Sequence, residues 1–117
     1  MSVNTAALSG RLVENATLRS TKGGTMVLNF TVAVTERVRG ADGNYEDRPS
    51  YIDCAVFGAR AEAISRYLTK GALAMVQGHL RQLVYTDRQG QRRSKVEVMV
   101  EEIDWRTRRQ GDAATAA

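Results

Sequence analysis

Residues 26–34 read Met-Val-Leu-Asn-Phe-Thr-Val-Ala-Val. Met26, Leu28, Phe30, Val32 and Val34 recur at every second position, and Val27, Asn29, Thr31 and Ala33 fill the alternate set. A repeat of two puts one set on each side of a pleated strand, whereas a helix would smear both sets around its surface. The same alternation returns three times. Ile52, Cys54 and Val56 alternate with Tyr51, Asp53, Ala55 and Phe57. Ala74, Val76, Gly78 and Leu80 share one face of the segment 72–83. Val96, Val98 and Val100 share one face near the end. An earlier segment, Leu8 to Asn15, opens the series, and Lys22-Gly23-Gly24 reads as a turn joining antiparallel strands. The period switches only once. Over 59–69 Ala61, Ile64 and Leu68 share a helical face, and Lys70-Gly71 supplies a C-terminal stop.

The order is therefore three strands, one helix, two strands. That pattern predicts an all-β domain: a five-stranded OB-fold barrel with one short helix between strands three and four. A doubly wound fold needs several alternating helices, and an SH3-like barrel usually lacks a full helix at that point. The domain is expected over 1–106, with a short flexible tail over 107–117. Residues 36–50 lack a sustained period. They read as a long loop or a hairpin extension, with Asp42-Gly43 or Gly43-Asn44 at its tip. Tyr85 to Gln91 reads as a second hairpin tip, with Gly90 inside it.

Composition narrows the function. The 117 residues carry 17 Lys and Arg against 13 Asp and Glu, a net charge of +4, which permits a nucleic-acid partner without demanding one. One cysteine, Cys54, cannot staple the fold, and one histidine, His79, makes a poor metal inventory, so neither cofactor nor metal is expected. No apolar run approaches the roughly 18 residues of a membrane span, and no leader pattern opens the chain, so a cytoplasmic protein without a membrane partner is expected. An enzyme is not expected either. Asp42, Glu46 and Asp47 and the run Glu101, Glu102, Asp104 read as solvated charge, and no phosphate-cradling glycine motif is present.

A sequence-tolerant single-strand binder needs cations to track phosphates and flat rings for bases to stack on. Tyr51, Phe57 and Tyr85 are the candidate rings, and Arg37, Arg39, Arg48, Arg88, Arg92, Arg93 and Lys95 the candidate cations. Tyr51 and Phe57 share parity on one strand. Ordinary core packing is the competing reading for Phe57. Phe30 reads as core, Tyr67 as helix packing and Trp105 as a cap on the barrel end, while Tyr45 is a further loop ring. Asp53, between two candidate rings, would repel phosphates unless Arg37 or Arg92 neutralised it across strands. Exposed rings favour nucleic acid. Buried rings beside a flat apolar patch would favour the alternative, an accessory OB module that works through protein contacts.

The segments LSGRLVENATLR, NFTVAV, YIDCAVFGARAEAISRYLTKG and VQGHLRQLVYTDRQGQRRSKVEVMVEEI, in this order and spacing, resemble the bacterial single-stranded DNA-binding protein family over residues 5 to about 105. The resemblance implies an OB-fold that assembles as a homotetramer. It implies wrapping of single-stranded DNA, without sequence preference, in replication, recombination and repair. The family's stacking positions fall on Tyr51, Phe57 and Tyr85, where tyrosine replaces the usual tryptophan at Tyr51 and Tyr85. A further position that is usually aromatic is Val38 here. The resemblance also places subunit contacts near Val3 to Ala7, Gln77 and His79. Family members end in an acidic tip that recruits replication and repair proteins. The present sequence ends Gly-Asp-Ala-Ala-Thr-Ala-Ala without that tip, so it is expected to be either a piece of a longer protein or a short paralogue, and a short paralogue would recruit such partners poorly or through another surface.

Overall fold

A computed structural model describes residues 1–107; the tail expected over 107–117 lies, from residue 108 on, outside the described residues. The elements are β1 (Ala6–Leu12), β2 (Thr17–Ser20), β3 (Met26–Arg39), β4 (Tyr45–Phe57), α1 (Ala59–Ser65), β5 (Leu73–Thr86) and β6 (Arg92–Arg106). The sheet runs β1-β5-β6-β4-β3-β2, and β1 also pairs with β3. That last pairing, Arg11↔Ala33 and Leu12↔Val32, closes five strands into a barrel and leaves β2 as an addition on the edge of β3. A closed sheet has no free edge around its girth. The extra strand is the short β2, whose four residues carry one apolar side chain, Leu18, too few for alternation to show.

Closure depends on a close approach of backbones at one point. β1 leaves β5 and meets β3 near Gly10, where a Cβ would run into the Ala33 carbonyl. Gly78 does the same service opposite Met99, beside a register shift that leaves Glu101 as the extra residue between Val100 and Glu102. The alternating apolar sets fill the interior. Leu28, Val32, Val56, Val76 and Val98 are fully buried, with Phe30, Leu12, Cys54 and Val100 nearly so. Helix α1 covers one end of the barrel with Ala61 and Ile64, and Leu68 follows into the core. The helix is shorter than its period suggested. After Ser65 the chain continues in three-residue turns, Tyr67 N–H to Ile64 O and Leu68 N–H to Ser65 O, which keep Leu68 on the apolar face. Arg60 ties the helix to β6 by donating to the Val100 carbonyl at 2.8 Å. Trp105 stacks on Tyr67, with ring centroids 5.7 Å apart.

Two ribbons leave the barrel. The β3–β4 ladder runs unbroken from Val27↔Phe57 out to Arg39↔Tyr45, so residues 36–50 form the arm of a hairpin rather than an open loop. Its tip is closed by Gly43 at φ 86° and by Asp42, whose carboxylate accepts the Asn44 N–H at 3.0 Å. The second arm, β5–β6, extends to Thr86↔Arg92. Beyond the barrel mouth neither face of an arm has a core to cover. Leu80, Val84 and Val96, which keep the parity of the core set, are therefore exposed.

Candidate nucleic-acid interface

Antiparallel partners point to the same side of a sheet, so the register decides which candidates share a face. On β4, Tyr51, Asp53, Ala55 and Phe57 share the outer parity, though Ala55 is buried. Their partners on β3 are Ala33, Thr31, Asn29 and Val27, of which Val27 is buried too. The side chains opposite Tyr51 and Asp53 are small, which leaves the tyrosine ring uncovered; Tyr51 is 65% exposed. On the second arm the outward set is Arg81, Leu83 and Tyr85, paired with Glu97, Lys95 and Arg93. The parallel contact of β4 with β6, Cys54↔Val98 and Ala55↔Met99, brings the two sets edge to edge.

Two contacts join them, Lys95 to Asp53 and Arg81 to Phe57. Lys95 Nζ lies 3.6 Å from Asp53 Oδ2, and Asp53 Oδ1 accepts a hydrogen bond from Thr31 Oγ1 at 2.7 Å. The arginine partners expected for Asp53, Arg37 and Arg92, are replaced by Lys95, because β6 reaches β4 by a parallel crossover that places Lys95 beside it. Arg81 extends its guanidinium over the Phe57 ring, 5.4 Å from the centroid, and its Nη2 reaches Glu97 Oε1 at 3.3 Å. Glu97 is only 3% exposed. Phe57 is therefore a half-buried ring on the outer face, capped by a cation, not a core side chain.

Both arms continue the face. Tyr85 is exposed opposite Arg93. Arg93 is held at 2.9 Å from Asp87, whose other oxygen accepts the Gln89 and Gln91 N–H groups across the turn. The Arg93 hydrogen bond, followed by the Gln91 N–H, holds the Asp87 carboxyl below its ordinary value. On the first arm, Arg37 stacks over Tyr45 at 5.5 Å, and Arg37 and Arg39 share the parity of Tyr51. Val38 takes the opposite parity. Arg48 and Arg92 fall on the reverse sides of the two ribbons. Arg48 pairs there with Glu46 at 3.0 Å, and Arg92 stands opposite Thr86. Arg88 sits in the turn of the second arm.

Beside the second arm, on the same face, lies a groove of about 340 Å³. One wall is the β1–β2 connection at Val13–Thr17; the floor is Asn29, Thr31, Asp53, Lys95 and Glu97. Arg19 Nε donates to Asn29 Oδ1 at 2.8 Å within it. Cys54 lies beneath. Burial, then the Asp53 and Glu97 charges, push its thiol up to about 12, so it stays protonated and unreactive near neutral pH. Sequence reasoning missed Arg81, Arg19 and Asn29. Arg81 had a signal: it stands four residues before Tyr85 and so shares its face. No group of three or more His, Cys, Asp or Glu side chains placed to hold a metal occurs among the described residues, and no helix among them is long and apolar enough to cross a membrane.

A Greek-key barrel with a helix before its fourth barrel strand, and with rings and cations on one outer face running onto two arms, defines an OB-fold protein. The Single-strand binding protein family model matches residues 3–105, and the chain belongs to that family. It is 38% identical over 102 residues to the single-stranded DNA-binding protein of Borreliella burgdorferi, covering 86% of this chain and 68% of that protein. It is 37% identical over 103 residues to a Staphylococcus aureus single-stranded DNA-binding protein, covering 88% of this chain and 65% of the relative. Among solved structures, a deletion and substitution variant of the Thermus aquaticus single-stranded DNA binding protein superposes with a TM-score of 0.77 at 28% identity, over 92% of this chain and 52% of that one. The chain thus spans about one half to two thirds of the length of these relatives.

Proposed function

We propose that this protein binds and protects single-stranded DNA, without catalysis and with little sequence selectivity. The observation that carries the reading is the placement of Tyr51, Phe57 and Tyr85 on one outer face, interleaved with Lys95, Arg93, Arg81, Arg37 and Arg39. Bases stack on the rings, and phosphates pass the cations. A duplex hides its base faces and offers only its backbone, so the same surface holds it less well. The exposed rings favour this over the accessory protein-contact reading. A strand held open in this way serves replication, recombination and repair.

Assembly into a homotetramer is part of the same proposal. Its support is the lower outer face of β1, β5 and β6, where an apolar groove of about 410 Å³ runs beside Ala7, Met75 and Ile103, and Met75 is 61% exposed. Gln77 and Ala7 are partners there. His79 meets Glu101 at 2.8 Å, and Asn4 closes the β5 edge with two 2.8 Å bonds to the Leu80 backbone. Location in the cytoplasm, on the nucleoid, is proposed with it, as are contacts with replication or repair proteins.

Fluorescence anisotropy with a labelled oligonucleotide, single-stranded or annealed, tests the reading. Single-stranded DNA is expected to bind more tightly at moderate salt, with an affinity that falls as salt rises. Equal affinity for both forms would refute it.

A further inference from the structure

Three rings stand at equal steps along one strand. Tyr45, Tyr51 and Phe57 are six residues apart on β4, and a period of two gives all three the outer parity. At about 3.3 Å per residue, each step is about 20 Å. Tyr51 and Phe57 belong to the interface on the barrel, and Tyr45 extends their row to the end of the first arm. Every residue of β4 has a partner on β3, so the ladder fixes the spacing of the rings. The outer end is pinned as well. The Gly40 N–H donates to the Asn44 carbonyl at 2.7 Å, immediately before Tyr45.

Tyr45 has no core beneath it, and the residue is 60% exposed. Arg37 covers one face of the ring, with its Cζ 5.5 Å from the centroid. The guanidinium restrains the ring and leaves the other face flat and open. A base laid on that face completes a stack of cation, ring and base on a platform already held in place. Arg39, directly opposite Tyr45, brings a second positive charge to the same side of the arm. Asp47, of the same parity, stands opposite Arg37. We propose that Tyr45 is a further base-stacking residue, and that a single strand on β4 continues past Tyr51 to the end of the first arm. At about 3.4 Å per nucleotide, the rise in duplex DNA, each step between rings holds about six nucleotides, and fewer where the strand is stretched. This inference rests on the single-strand reading above. Arg37 is a positioning residue for the ring.

The test measures anisotropy of the full chain with a labelled dT strand of about 20 nucleotides, long enough to cover all three rings, across a salt series. Tyr45→Ala is expected to lower the affinity about fivefold, the low end for one base on a ring. The slope of log affinity against log salt should stay unchanged, because no charge is lost. Tyr45→Phe keeps the ring and is expected to bind like the unaltered protein. Photo-crosslinking with a halogenated strand reads the contact itself, and an adduct on Tyr45 is expected. An unchanged affinity in Tyr45→Ala would overturn the proposal. A fall that comes with a shallower slope would do the same, since it would assign the loss to the Arg37 charge. Adducts on Tyr51 and Phe57 with none on Tyr45 would also overturn it. Failure of the unaltered protein to bind the strand would instead overturn the single-strand reading, and this inference with it.

Discussion

Arg81→Ala tests how the core and the binding face depend on one another. Glu97 sits at 3% exposure with Arg81 as its cationic partner at 3.3 Å. Removing one partner of a buried pair costs about 3–5 kcal/mol, because the remaining charge loses its compensation. Here the Arg81 side chain is 43% exposed, so water reaches one side of the pair and screens it. A cost of about 1–2 kcal/mol is the better expectation. For a domain of this size that lowers the melting temperature by roughly 4–10 °C, measured at fixed protein concentration because assembly shifts the midpoint. The loss is a desolvation penalty, so neutralising the stranded group should recover most of it. Arg81→Ala combined with Glu97→Gln is expected to melt above Arg81→Ala alone, although Glu97→Gln by itself destabilises. The same change uncovers one face of Phe57, and single-strand affinity should fall by about threefold with the lost cation over the ring. Additive melting shifts in the double variant would refute the claim that the Arg81–Glu97 pair couples the core to this face.

Two further outcomes separate face from core and fix the role of the second arm. Tyr51→Ala should leave the melting temperature nearly unchanged and weaken single-strand binding by about 1–3 kcal/mol, whereas Phe30→Ala should cost about 3–5 kcal/mol of stability; anisotropy and thermal denaturation on both variants check the division. The folded-state pKa of Asp87 is depressed below its ordinary 3.8, so its hold on the Gln89 and Gln91 N–H groups is fully present above 3.8 and is lost as pH falls through the lowered value. The NMR shifts of those two amides should stay constant down to that acidic window and then move together; movement near neutral pH would contradict the assignment.

The barrel was legible because its strands turn one face to the core and most of the other to water, Val27 and Ala55 excepted. Leu28, Phe30 and Val32 must alternate with Asn29, Thr31 and Ala33 when one set meets the core and the other water. The first arm was legible only as one of two alternatives, with its tip at Asp42-Gly43, for the same reason reversed. Over 36–50 both faces are solvated, so no apolar period appears, and the ladder out to Arg39↔Tyr45 is held by backbone hydrogen bonds that leave no trace in residue type. The rings of the site could be read from parity. The partner of Asp53 could not, since it depends on the parallel crossover of β6 onto β4, a register between strands about 40 residues apart. Arg81 was hidden because its neighbours Leu80 and Val84 carry the core parity yet stand above the barrel mouth, which blurs the alternation around it.

The central claim is that single-stranded DNA lies across the outer face of β4 and the two arms. Photo-crosslinking a halogenated single strand to the full chain, with the adducts mapped by mass spectrometry, reads that path directly. The account predicts adducts on Tyr51, Phe57 and Tyr85. Adducts confined to α1 or to the Tyr67–Trp105 end of the barrel would contradict it.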